Sequence, residues 1–156
     1  MHYYATMHII NIPAETIFQA LSDPIRLRII RLLSTTDEEA CLCEFVDSLL
    51  EPQYKLSRHI KSLKQAGLLS ASKDGRWIYH RLVISTDYLK HLYQTILMLP
   101  DNEGQYAQDL KRFQKRMSLR DSGRCHVGIQ NKNFIHVTIH HEELSIPIFC
   151  DIYLRI

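Results

Sequence analysis

The chain has 156 residues, 46% hydrophobic and 23% charged, and a net charge of only +2. That is the composition of an ordinary globular domain, long enough to bury a core without staples. No apolar run approaches the ~20 residues that span a bilayer, and residues 1–12 lack the basic-then-apolar order of a secretory signal. A cytoplasmic protein with no membrane partner is expected, its four cysteines reduced rather than paired. Cys41 and Cys43 also sit too close for a comfortable bridge within one regular element.

In chain order, Pro13-Ala14-Glu15-Thr16 opens a first helix with Ile17, Phe18, Ala20 and Leu21 as its apolar stripe. Asp23 is a good N-cap for a second helix, with Pro24 at its first position, where the missing N–H costs nothing. That helix, over 24–33, directs Leu27, Ile30 and Leu33 inward and Arg26, Arg28 and Arg31 outward. A polar, acidic connection over 34–40 leads to a short helix over 41–50. Glu51-Pro52 restarts the chain, because the residue before proline leaves the helical region. A fourth helix follows over 52–66, with Leu56, Ile60 and Leu63 at helical spacing and Gly67 closing it. Two helices around so short a break, the second basic, read as a helix-turn-helix. Two β-rich runs, 68–72 and 77–83, flank Lys73-Asp74-Gly75-Arg76, a strong hairpin signal, so the hairpin completes a winged helix. A helix over 86–99 presents Leu89, Leu92, Tyr93, Ile96 and Leu97, and a more polar one covers 103–119. Beyond residue 131 the pattern changes to period two: Ile135, Val137 and Ile139 in one run, Ile146 to Ile156 in another. Two strands around residues 141–143 explain it, and a partly ordered tail is the competing reading.

The fold class is thus mainly α with a β-hairpin wing. Residues 12–99 form the winged helix-turn-helix, and 100–156 a C-terminal helix and extension. Charge is unevenly spread: residues 51–82 hold seven basic and two acidic side chains, the footprint of a nucleic-acid surface. The exposed face of the fourth helix offers Gln53, Tyr54, Lys55, Ser57, Arg58, His59 and Lys61. Gln and Arg can read base edges, and Lys, Ser and Tyr can hold phosphates. Arg76 at the hairpin tip suits a wing contact, and Trp77 and Tyr79 read as wing core. Immediately upstream lies Cys41-Leu42-Cys43. On a regular helix, residues i and i+2 point about 200° apart, so both sulfurs meet one ion only if Cys41 lies at or before the N-cap. A helix N-terminus would favour the thiolate. All-sulfur ligation selects soft, thiophilic species.

The segments Ala20-Leu21-Ser22-Asp23-Pro24-Ile25-Arg26, Cys41-Leu42-Cys43-Glu44-Phe45, Ser57-Arg58-His59-Ile60-Lys61-Ser62-Leu63 and Asp74-Gly75-Arg76-Trp77-Ile78-Tyr79 together resemble the ArsR/SmtB family of winged-helix metal-sensing repressors, in particular the arsenic- and antimony-sensing branch. The resemblance covers roughly residues 15–99. It implies a homodimer packed through the first helix and the 86–99 helix, bound to a palindromic double-stranded operator and released when arsenic(III) or antimony(III) binds. No organic cofactor and no enzymatic activity are implied. One departure is informative: where the archetypal arsenic sensor has a third cysteine, this chain has Val46. Arsenic(III) on two thiolates keeps an exchangeable oxygen ligand, so a third cysteine is expected to be recruited if one can reach, with Cys125 and Cys150 as candidates. Cys125 follows a polar, glycine-containing segment and is favoured as a metal ligand with Cys41 and Cys43, whereas Cys150 falls on the apolar side of an alternating run.

Other readings compete. Two buried cysteines can serve simply as small apolar residues. A thiol redox or persulfide sensor, or a sensor of cadmium, lead or zinc, could occupy the same scaffold. Asp87 and His91 depart from the spacing of the family's zinc sites, so His91 reads as a surface or interface histidine. His140-His141-Glu142-Glu143 reads as a solvated turn. A thiol-based reductase would need a βαβ unit or a phosphate-cradling loop, and this sequence has neither.

Overall fold

The computed structural model describes residues 12–135, apart from the side chains of 134 and 135. The expectations for 136–156, including the second period-two run and Cys150, lie outside the described residues. In order the elements are α1 (Ala14–Leu21), α2 (Pro24–Thr36), β1 (Ala40–Cys41), α3 (Leu42–Leu49), α4 (Gln53–Gln65), β2 (Leu69–Asp74), β3 (Trp77–Leu82), α5 (Asp87–Met98), α6 (Gln105–Met117) and α7 (Lys132–Ile135). The fold is a winged helix-turn-helix. Ile135, expected to begin a strand, instead closes α7.

Local signals act where the sequence put them. The Asp23 carboxylate accepts from the backbone N–H groups of Ile25 and Arg26 at 2.9 and 3.0 Å, capping α2 behind Pro24. Gly67 takes a left-handed φ of 71° after α4, and a Cβ there would lie 2.1 Å from Ile12 Cδ1. The wing is a two-residue hairpin in which Asp74 pairs with Trp77, leaving Gly75 (φ 58°) and Arg76 at its tip. The sheet has a third strand that the sequence did not suggest. The two-residue β1 pairs with β3, Ala40 opposite His80 and Cys41 opposite Tyr79, giving the order β1-β3-β2. So short a strand carries no periodicity to read.

The core is built from Ile29, Ile30 and Leu33 of α2, Phe45, Val46 and Leu49 of α3, Leu56 and Leu63 of α4, and Phe113 of α6, all essentially inaccessible. The expectation that α2 simply turns its arginines to solvent needs correction. Each donates to carbonyls at the C-terminal end of another helix: Arg26 to Gln19 and Ala20 of α1, Arg28 to Leu49 of α3, Arg31 to Ile96 and Leu99 of α5. Helix C-termini leave carbonyls unsatisfied and carry partial negative charge, so a cation there is doubly favourable.

The apolar stripe of α5 is also used differently. Leu89, Tyr93 and Ile96 are buried in the chain's own core, and the Tyr93 hydroxyl donates to the carbonyls of Leu68 and Val83 at 3.2 and 3.0 Å. The large apolar side chains left exposed here are Phe18 of α1 and Tyr88, Leu97, Met98 and Leu99 in or beside α5. After α6 the chain forms a strap, residues 119–131. A tight turn opens it: Asp121 and Arg124 exchange backbone hydrogen bonds at 2.9 and 2.8 Å, with Ser122 and Gly123 both at positive φ.

Candidate metal centre

Cys41 is the N-cap of α3 and the last residue of β1, with extended backbone (φ −86°, ψ 165°). Cys43 lies one step inside the helix. The 200° divergence of a regular helix therefore does not apply, and the two sulfurs share one side. Cys125, carried by the strap, completes the group: the Sγ atoms of Cys41, Cys43 and Cys125 all lie within 4.8 Å of one another, and all three residues are buried. Trp77 and Tyr79 of the wing, with Ile129, complete a small cluster separate from the main core. The donor set is all sulfur in apolar surroundings, a poor home for hydrated hard cations and a good one for a soft, thiophilic centre.

Polar groups hold this cluster from outside. Glu44, fully buried, accepts from the Cys41 backbone N–H at 2.9 Å and so fastens the start of α3. Its two carboxylate oxygens also accept from Arg120 at 2.8 and 2.9 Å. Arg116 of α6 donates from Nε to Asp47 at 2.7 Å. Its Nη2 reaches Cys125 Sγ at 3.5 Å and the carbonyls of Val127 and Gly128 at 3.0 and 3.2 Å. The Cys125 N–H donates to the Tyr79 hydroxyl at 2.8 Å. Arg124 pairs with Glu39 and, at 2.9 Å, with Asp74 of the wing.

The charge on the sulfurs is distributed differently from the expectation. The Cys125 thiol is pulled down to about 7, first by its hydrogen bond with Cys41 and then by Arg116, against the opposing effect of burial. The Cys41 thiol is pushed up by that same hydrogen bond, by burial and by Glu44. The helix N-terminus thus does not make Cys41 the readier thiolate, because the hydrogen bond with Cys125 and burial outweigh it, with Glu44 adding to both; the sulfur that ionises more readily is on the strap. A second correction concerns redox state. Cys41 and Cys43 are not bridged to each other, but Cys43 is disulfide-bonded, whereas Cys41 and Cys125 are free thiols.

On the nucleic-acid side, α4 exposes Tyr54, Arg58 and Lys61, with Gln53 and Lys55 half-buried beside them. Lys55 pairs with Glu51 at 3.0 Å. The Ser57 hydroxyl is buried with no partner among the described residues. His59 turns back toward Asp23, Nδ1 to Oδ1 3.6 Å, and burial lowers its pKa. Arg76, exposed at the wing tip, lies over the Trp77 ring at 4.8 Å and donates to the His126 carbonyl at 3.3 Å. The His91 ring bonds the Asp87 carbonyl, one turn earlier on α5. Sequence reasoning named the three sulfurs but missed the arginines and acids around them. Apart from the Glu44–Cys41 cap, their partners are distant in sequence and no local pattern marks them.

Residues 23–71 match the family described as bacterial regulatory protein, arsR family. An uncharacterized HTH-type transcriptional regulator of Methanocaldococcus jannaschii is 40% identical over 70 residues, covering 45% of this chain and 78% of that protein. The chain belongs to the arsR family. Two repressors are also similar to this chain. The arsenical resistance operon repressor of Escherichia coli is 41% identical over 66 residues, 42% of this chain and 56% of that one. The HTH-type transcriptional repressor SmtB of Mycobacterium tuberculosis is 34% identical over 79 residues, 51% of this chain and 56% of that one. The chain thus spans little more than half the length of either repressor. These relatives are transcriptional regulators, which points away from an enzyme. No described helix is long and apolar enough to cross a membrane.

Proposed function

We propose that this arsR-family chain is a cytoplasmic transcriptional repressor that binds a palindromic operator as a homodimer. It is released when arsenite or antimonite is held by Cys41, Cys43 and Cys125. The observation that carries the reading is the convergence of three buried sulfurs within 4.8 Å of one another. Arsenic(III) and antimony(III) take three sulfurs in a pyramid, and the donor set fits them in the reduced protein, with Cys43 released from its disulfide. Binding would pull on the N-terminus of α3, which leads through Leu50-Glu51-Pro52 directly into α4, the helix offered to the major groove. Phe18 of α1 and Leu97 and Met98 of α5 are the side chains offered to a second copy. Ligand and operator then oppose each other through one coupling free energy, typically about 1–3 kcal/mol.

The test is operator binding by the reduced protein with and without arsenite, with sedimentation to establish the dimer. Cys41→Ser and Cys43→Ser should each abolish release while leaving operator binding intact, Cys125→Ser should weaken release, and Cys150→Ser should change little. Operator binding that ignores arsenite in the reduced protein refutes the reading. The disulfide at Cys43 favours one second reading, a thiol redox or persulfide sensor on the same winged-helix scaffold. Release by peroxide or polysulfide, with arsenite inert, would select it.

A further inference from the structure

Cys125 belongs to no helix or strand, yet its sulfur is fixed opposite Cys41 and Cys43. Tyr79 holds the Cys125 backbone N–H, and Arg120 is committed to Glu44. Besides Cys41, the side chain that hydrogen-bonds the sulfur itself is Arg116, only 3% exposed. One end of its guanidinium meets Asp47 of α3. The other takes the Val127 and Gly128 carbonyls, just past Cys125. The Asp47 carboxylate closes the loop by accepting from the backbone N–H groups of Gln130 and Asn131, at 2.9–3.1 Å. Arg116 and Asp47 thus form a clamp that carries the strap on α3, the helix that carries Cys43 and is capped by Cys41. A lysine could not do the same, because only the planar fork reaches a carboxylate and two carbonyls together. The arrangement also leaves Arg116 Nη1 buried with no partner among the described residues, a costly state for a guanidinium.

We infer that Arg116, with Asp47, is the positioning residue that makes Cys125 the third sulfur of the centre, and so sets the site to prefer a species with three exchangeable valences over one with two. The inference rests on the reading of the sulfurs as a metalloid site. Arsenite, As(OH)3, exchanges its three hydroxyls for the sulfurs of three thiols, each hydroxyl leaving with a thiol proton as one of three waters. Phenylarsine oxide keeps its carbon–arsenic bond; two thiols add, one water leaves, and no third sulfur can bind. Cys41 and Cys43, on one element, suffice for the second compound. The clamp matters only for the first.

The experiment measures both arsenicals on the reduced full-length chain, with X-ray absorption counting sulfurs per arsenic. Arg116→Met should weaken arsenite about 10–100-fold, the usual cost of losing a group that orients a ligand, and reduce its coordination from three sulfurs to two. Phenylarsine oxide affinity should be unchanged. Because Arg116→Met strands the Asp47 carboxylate, the double variant Arg116→Met/Asp47→Asn is run beside it. Asn keeps an acceptor for the strap amides without the lone charge, and the same split between the two arsenicals is expected. Arg116→Lys should fall between parent and Met. Equal weakening of both compounds, or three sulfurs retained in Arg116→Met, overturns the inference by leaving Arg116 a purely structural residue. A parent protein that binds phenylarsine oxide but never holds arsenite through three sulfurs refutes the metalloid reading itself, and the inference falls with it.

Discussion

The N-termini of α3 and α4 are only eleven residues apart and are built on opposite plans. At the first, every residue from Cys41 to Val46 is buried, and the Glu44 carboxylate inside is matched by Arg120 and a backbone N–H. At the second, Tyr54 and Arg58 stand in solvent, and the ion pair beside them is the partly exposed Lys55–Glu51. Buried polar groups must keep their partners, because losing one leaves the other desolvated and unpaired. Exposed ones lose little when unpaired and can be held for an incoming phosphate or base edge. One helix start is therefore fixed by its own fold, and the other is left open for a partner.

The largest effect that could break this contrast is at Glu44. Glu44→Ala should cost about 3–5 kcal/mol, since it strands Arg120 and uncaps Cys41; urea unfolding that shifts by less than ~1 kcal/mol would mean the buried end is not held as described. His80 sharpens the same side. It sits opposite Ala40 in the sheet, 5% exposed, and burial followed by repulsion from Lys64 lowers its pKa to about 4. Between the ordinary value and 4 the unfolded chain takes a proton that the folded chain refuses, so stability falls as pH drops through that window. From pH 7.5 to 5 the loss should be about 2 kcal/mol, and His80→Leu should flatten that part of the curve. At the open end, Arg58→Ala should leave unfolding within about 0.5 kcal/mol of the parent while removing ~1–3 kcal/mol of operator discrimination. The smallest change is expected for Lys55→Ala, which should lower the salt slope of operator binding by about one. If both variants bind like the parent, α4 is not the reading head.

Much of this was legible in the sequence because it is local. Asp23-Pro24, Glu51-Pro52, Gly67 and Asp74-Gly75 each impose a backbone conformation within a few residues, so the helix starts and the wing could be placed. The requirement that Cys41 sit at the helix cap followed from helical geometry alone. The illegible parts are those where the partner is remote. Helical spacing marked the α5 stripe as apolar but could not say that the chain's own core would cover it. The arginines of α2 read as a solvated face because the carbonyls they meet belong to α1, α3 and α5. Arg116, Arg120 and Asp47 carried no signal, since each is an ordinary charge until α6 lies on α3; Glu44, three residues after Cys41, stands where a capping box would place it, but its pairing with Arg120 could not be read locally.

The strap gives the molecule a modular economy. The family match ends at residue 71, whereas Cys125 and Arg116, whose guanidinium touches its sulfur, come from the chain well beyond it. On the proposed function, the helix-turn-helix and its own two sulfurs, Cys41 and Cys43, can therefore be kept while the third donor is exchanged by rewriting a short appended segment.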